Sequence, residues 1–204
     1  MAKIIFCLFA LMAATSSVFA GGSRDSAAPF NDHDIEAVHR IHYNEIVRIG
    51  IFVEAPFVYS DSQGVLQGYD VYFARRLGKE ILGNENAVLF IPVNADDWAE
   101  ALNSGKADIV LPGFSLNPEA AALADFALPY RKSGEGVAAP AVRKGNSGLA
   151  LWLNDVISRR LEADFFHKAY EATLPPLYGN TLAPEDVVIR VERNPAGFPN
   201  KSVY

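Results

Sequence analysis

Three sets of residues carry groups able to do chemistry. The first is acidic. Glu54, Asp96, Asp97 and Glu100 follow apolar runs, but no two of them stand in a pattern that pairs a general acid with a general base. The second is His33, His39 and His42 beside Asp32 and Asp34. His39 and His42 are three residues apart and share a face if the segment is helical, yet no metal-ligand motif surrounds them and no metal is expected. The third is the run Leu111-Pro112-Gly113-Phe114-Ser115. A loop that follows a parallel strand and opens a helix presents backbone N–H groups, a natural anion site, so Gly113 and Ser115 are candidates for contacting a carboxylate. Ser115 has no neighbouring histidine in the local pattern and is not expected to act as a nucleophile. Cys7 is the sole cysteine and sits in an N-terminal apolar run, which leaves the later chain without a thiol nucleophile or thiolate metal site. No cofactor is expected.

These groups need elements to hold them. Asp34 to Ile46 has apolar residues at roughly helical spacing, with Asp34 as cap. Val47 to Val53 is β-branched and almost fully apolar, as suits a buried strand. Gly68 to Leu82 reads as an amphipathic helix with Val71, Phe73, Ala74, Leu77 and Ile81 inward, and Asp70 is expected to cap it. Ala87 to Val93 and Ala107 to Leu111 read as strands, with a short helix ending at Asn103 between them. Pro118 to Ala124 reads as a helix, Asp125 to Tyr130 as irregular, and Gly136 to Val142 as a fourth strand. Alternating strands and helices predict an α/β fold: one lobe with a parallel-type sheet, right-handed crossovers and flanking helices. Leu149 to Ala163 and Asp164 to Leu174 add C-terminal helices, stopped by Pro175-Pro176.

Residues 1–20 read as a signal peptide. Lys3 is its basic start, Ile4 to Ala14 an uncharged apolar run, and Val18-Phe19-Ala20 places small residues where a signal peptidase reads, so cleavage is expected after Ala20. The run is too short to span a bilayer comfortably. The formal net charge of −6 argues against nucleic acid, whose phosphates need basic patches. The expected division is a signal peptide (1–20), a leader with a short helix (21–46), a lobe (47–142), a helical segment packed on it (143–190) and a disordered tail (191–204).

Four stretches stand in order along that lobe. They are Arg48-Ile49-Gly50-Ile51 with Ala55-Pro56-Phe57; Gly64-Val65-Leu66-Gln67-Gly68-Tyr69-Asp70-Val71; Trp98 with Ala101-Leu102-Asn103-Ser104-Gly105-Lys106-Ala107-Asp108-Ile109; and Asp125-Phe126-Ala127-Leu128-Pro129-Tyr130. Together they resemble the first lobe of the extracellular solute-binding proteins, family 3, the polar amino-acid receptors of ABC transporters. The segment from Asp164 to Val188 resembles the tail of glutamate/aspartate-type members. The resemblance implies a periplasmic protein, not an enzyme, that binds a polar amino acid. It implies ligand contacts at Phe57, Trp98, Gly113, Phe114 and Ser115, and an ABC permease as partner.

Two departures qualify what the resemblance implies. In the family a second lobe lies between the fourth strand and the C-terminal helices, whereas here Val137 to Val142 runs almost directly into Arg143-Lys144-Gly145-Asn146. The family's arginine for the ligand's α-carboxylate falls on Ala120, and an alanine cannot imitate a bidentate guanidinium. Arg131 and Arg143 are candidates to replace it, and a homodimer or partner protein would supply the missing wall. The competing expectation is a periplasmic interaction module that keeps the scaffold and has lost its ligand.

Overall fold

Apolar runs separated by helical periodicity set three strands side by side in parallel. The computed structural model describes residues 32–179 and 181–190; the expected signal peptide, residues 21–31 of the leader and the expected tail lie outside them. The chain runs α1 (Asp32–Asn44), β1 (Val47–Phe52), a small hairpin of β2 (Tyr59–Ser60) and β3 (Leu66–Gln67), α2 (Tyr69–Leu82), β4 (Val88–Val93), α3 (Trp98–Asn103) and β5 (Ile109–Leu111). It continues through α4 (Pro118–Leu123), β6 (Ala124–Phe126), a second hairpin of β7 (Arg131–Ser133) and β8 (Gly136–Ala138), β9 (Ala141–Arg143), α5 (Ser147–Glu162), α6 (Phe165–Thr173), α7 (Pro175–Tyr178) and α8 (Pro184–Val187).

The main sheet has the order β4-β1-β5-β9-β6. β1 pairs in parallel with β4 from Val47↔Val88 to Phe52↔Val93, and with β5 from Ile49↔Ile109 to Ile51↔Leu111. Side chains alternate across the sheet. Val47, Ile49, Ile109, Leu111 and Val142 share a core with Phe73 and Leu77 of α2, Leu153 and Val156 of α5 and Phe166 of α6. Phe52, Val93, Val110 and Ala141 face the other way, onto Trp98, Leu102 and Ala120 of α3 and α4. β1 and β5 are therefore covered on both faces, which accounts for their almost fully apolar sequences, Arg48 of β1 being the exception.

One buried carboxylate ties three elements together. Asp108 accepts from the backbone N–H of Arg48 at 2.9 Å, from the Arg48 guanidinium at 2.9 and 3.2 Å, and from Arg40 Nε at 3.1 Å. It joins α1, β1 and the start of β5. The side chain of Asn117 caps α4 by accepting from the Ala120 N–H at 2.8 Å.

The sheet departs from expectation at its fourth strand. Residues 136–142 form two short strands, broken at Ala139-Pro140. Pro140 has no N–H to give a ladder, so one continuous strand across it is disfavoured. β8 folds back on β7, with Lys132↔Val137 paired, while β9 inserts antiparallel between β5 and β6. The stretch expected to be irregular thereby gains an edge strand, β6. Pro175 and Pro176 end α6 as expected and then open α7, since proline suits the first turn of a helix.

Candidate ligand-binding site

The C-terminal ends of β1, β4 and β5 lie along one edge, so the loops after them converge there. In the loop after β5, Pro112 is buried and Gly113, Phe114 and Ser115 are half-buried. Among the described residues, the backbone N–H groups of Gly113, Phe114 and Ser115 donate to no protein acceptor. Gly113 allows the loop to lie close to β1: a Cβ there would sit 3.0 Å from Phe52 Cβ and 3.2 Å from Glu54 Oε2. Glu54 itself is exposed and lines an open depression with Val53, Pro92, Val93 and Asn94.

The aromatic candidates separate. Phe114 packs edge-on against Phe52, with ring centroids 5.5 Å apart, and tilted against Trp98 at 5.4 Å. Trp98 is 5% exposed and also meets Phe126, so it supports Phe114 from behind rather than lining an opening. Phe57 is half-buried on the other side of the edge, 6.3 Å from Tyr69 and under the Arg131 guanidinium, whose carbon lies 4.0 Å from the ring centroid.

Arg131 is fully buried, and its contacts correct two expectations. Its Nε and one terminal nitrogen donate to the two Asp70 carboxylate oxygens at 2.9 and 3.1 Å, and further N–H groups reach the carbonyls of Pro112 at 3.1 Å and Lys132 at 3.2 Å. Asp70 is therefore an ion-pair partner and not a helix cap; the capping position is Gly68, which offers no side chain. Arg131 braces the loop from beneath and is not an unpaired cation awaiting a ligand. Burial disfavours its charge, but Asp70 beside it holds its pKa above the ordinary arginine value.

Arg143 does not replace the missing arginine either. β9 is antiparallel to β5, with Ala141 opposite Val110, so Arg143 lies towards the N-terminal ends of the parallel strands, beside Arg40 and Asp108. Ala120, where the resemblance places the arginine, is 5% exposed and packed in the Trp98 core.

Tyr69 and Tyr130 flank the ion pair, fully buried, and their hydroxyls have no hydrogen-bond partner among the described residues. Burial first, and the Asp70 charge second, push both phenols above 10.0. A folded-state pKa above the unfolded one gives stability that is complete below the unfolded value and lost as pH rises beyond it. Unfolding free energy is thus expected to fall above about pH 10. Urea titrations from pH 8 to 11 check this, with Tyr130→Phe flattening the decline.

The last feature of the loop is its neighbour. Ser115 Oγ donates to the carbonyl of Ser133 at 2.5 Å, and the Leu116 N–H donates to the carbonyl of Val137 at 2.8 Å. The β7–β8 hairpin lies directly on the candidate loop. Neither the hairpin's position nor the Asp70–Arg131 pair, 61 residues apart in sequence, had a local sequence signal. Glu54 had one: an acidic residue just past the end of a buried parallel strand.

The pattern of the bacterial extracellular solute-binding proteins, family 3, matches residues 47–173. The chain belongs to that family. A family 3 lobe accounts for the order of strands and helices and for the loop cluster at the C-terminal edge. The chain is 30% identical over 106 residues to the L-cystine-binding protein TcyJ of Escherichia coli (strain K12), covering 52% of this chain and 38% of that one. It is 30% identical over 148 residues to a probable histidine-binding protein of Neisseria gonorrhoeae, covering 72% and 50%. It thus spans half or less of the length of these curated relatives. Among solved structures it resembles the cysteine-binding protein from Campylobacter jejuni, with a TM-score of 0.69 and 26% identity, across 76% of this chain and 99% of that one. These relatives are named as binding proteins, and the family is extracellular.

Proposed function

We propose that this family 3 lobe binds a polar amino acid at the Pro112–Ser115 loop, as the periplasmic solute-binding component of an ABC-type transport system. The observation that carries the reading is the row of three backbone N–H groups at Gly113, Phe114 and Ser115, unpaired among the described residues and placed at the C-terminal edge of a parallel sheet. Such a row suits a carboxylate. Glu54, next to Gly113, suits the ligand's ammonium, and the half-buried rings of Phe57 and Phe114 suit its hydrocarbon part. Trp98 holds Phe114 in place. The names of the relatives, which bind cystine, cysteine and histidine, support the substrate class. Export would follow cleavage after Ala20, and the partner would be an ABC permease, with a second copy of the chain as the source of an opposite wall.

The test is calorimetric titration of the exported chain with L-glutamate, L-histidine and L-cystine. Glu54→Gln is expected to weaken binding about tenfold, the loss of one charge-assisted hydrogen bond. No heat at millimolar ligand would sink the receptor reading. A second reading, an interaction module that has lost its ligand, is favoured by one observation: the hydroxyl of Ser115 and the N–H of Leu116 are already taken by the hairpin.

A further inference from the structure

We infer that the β7–β8 hairpin is a displaceable cover on the Pro112–Ser115 loop, and that its closure sets how tightly the loop takes an amino-acid carboxylate; this rests on the solute-binding reading above. The hairpin offers the loop what a ligand carboxylate would offer. The carbonyl oxygens of Ser133 and Val137 accept from the Ser115 hydroxyl and the Leu116 N–H, two donors that adjoin the three N–H groups proposed for the ligand, so the loop offers a carboxylate more donors when the hairpin is open.

The fit depends on one residue. A Cβ at Gly136 would lie 2.9 Å from both Cβ and Oγ of Ser115, closer than side chains tolerate, so only glycine lets the strand settle on the loop. The root of the hairpin is held fast. Arg131 and Ala138 are buried, Lys132 Nζ donates to the Glu185 carbonyl at 2.7 Å, and Arg131 bridges to Val188. The tip has little to hold it beyond its two contacts with the loop. Gly134 and Glu135 are exposed, and Ser133, Gly136 and Val137 are only half-buried. A segment with a fixed root and a tip poor in apolar contacts opens at low cost. The apparent affinity is that of the open form multiplied by the fraction of molecules that are open.

Two variants of the exported chain test the cover, titrated with the same amino-acid panel. Gly136→Val pushes the tip off Ser115 and is expected to bind about tenfold more tightly than the parent. The pair Leu116→Cys with Val137→Cys, oxidised, ties the tip down. It is expected to lose binding at least about tenfold and to regain it on reduction. The second variant decides the matter even where the first fails to fold. Equal binding by the parent, Gly136→Val and both redox forms overturns the cover while leaving a solute-binding lobe. No binding by any form, each folded by circular dichroism, overturns both.

Discussion

Arg131→Ala is expected to cost the lobe about 3–5 kcal/mol, because it strands a buried carboxylate. The Asp70 side chain is 3% exposed and its partner's 1%. Remove the guanidinium and Asp70 keeps its desolvation penalty without a counter-charge or its two short hydrogen bonds. The Pro112 carbonyl also loses its donor, and Phe57 loses the cation stacked on its ring. Against a typical domain stability of about 5–15 kcal/mol, that loss brings the variant close to unfolding. Urea denaturation with linear extrapolation measures it. The same reasoning predicts a recovery. Replacing both partners by apolar residues, Asp70→Leu with Arg131→Met, is expected to restore most of the lost stability, since neither charge then needs solvating. A single-variant loss no larger than that of an exposed ion pair, under about 1 kcal/mol, would refute the account.

Gly68→Ala is expected to destabilise the fold by about 3 kcal/mol or more. Gly68 precedes α2 at φ 119° and ψ −179°, a conformation that side chains rarely adopt. A Cβ there would also sit 2.2 Å from the Phe57 carbonyl oxygen and 2.8 Å from its carbon. These are backbone atoms, and they cannot swing aside as a flexible side chain does. The Asp70 N–H donates to that same carbonyl at 3.2 Å, so any relief of the clash moves Phe57 and the ion pair together. Gly64→Ala is the control. It has φ 79° but open space around it, so it carries backbone strain without collision and is expected to cost about 1 kcal/mol. Thermal unfolding of the two variants separates conformation from collision; equal losses would contradict the packing at Gly68.

Much of the lobe was legible because its signals are local. The run of Val47 to Phe52, apolar but for Arg48, reports a strand covered on both faces, and the inward stripe of Val71, Phe73 and Leu77 reports α2; both stand where the sequence pattern put them. What periodicity does not encode is direction and partner. Residues 136–142 read as strand, and most of them are, but nothing in their composition says that Pro140 divides them or that the second half enters the sheet reversed. That reversal carries Arg143 away from the candidate loop, so a question about one arginine turned on the orientation of a three-residue strand. The loop itself was legible, since a Gly and a Ser follow a parallel strand. Its occupancy was not, because the Ser115–Ser133 contact joins residues 18 apart through a backbone carbonyl that any residue type supplies.

The hairpin has a further consequence, for how the chain can be enlarged. Its two strands leave and re-enter the body side by side, with the Tyr130 N–H bonded to the Ala138 carbonyl at 3.0 Å, and its tip, Gly134-Glu135, stands in solvent. Exposed tips with closed necks are where a polypeptide accepts an insertion without disturbing its core. A whole folded module spliced between Gly134 and Glu135 would hang from two strands already zipped together, and the five-stranded sheet would not need to change a single pairing. The same two residues mark where a fluorescent or affinity domain can be built into the chain with its fold left intact.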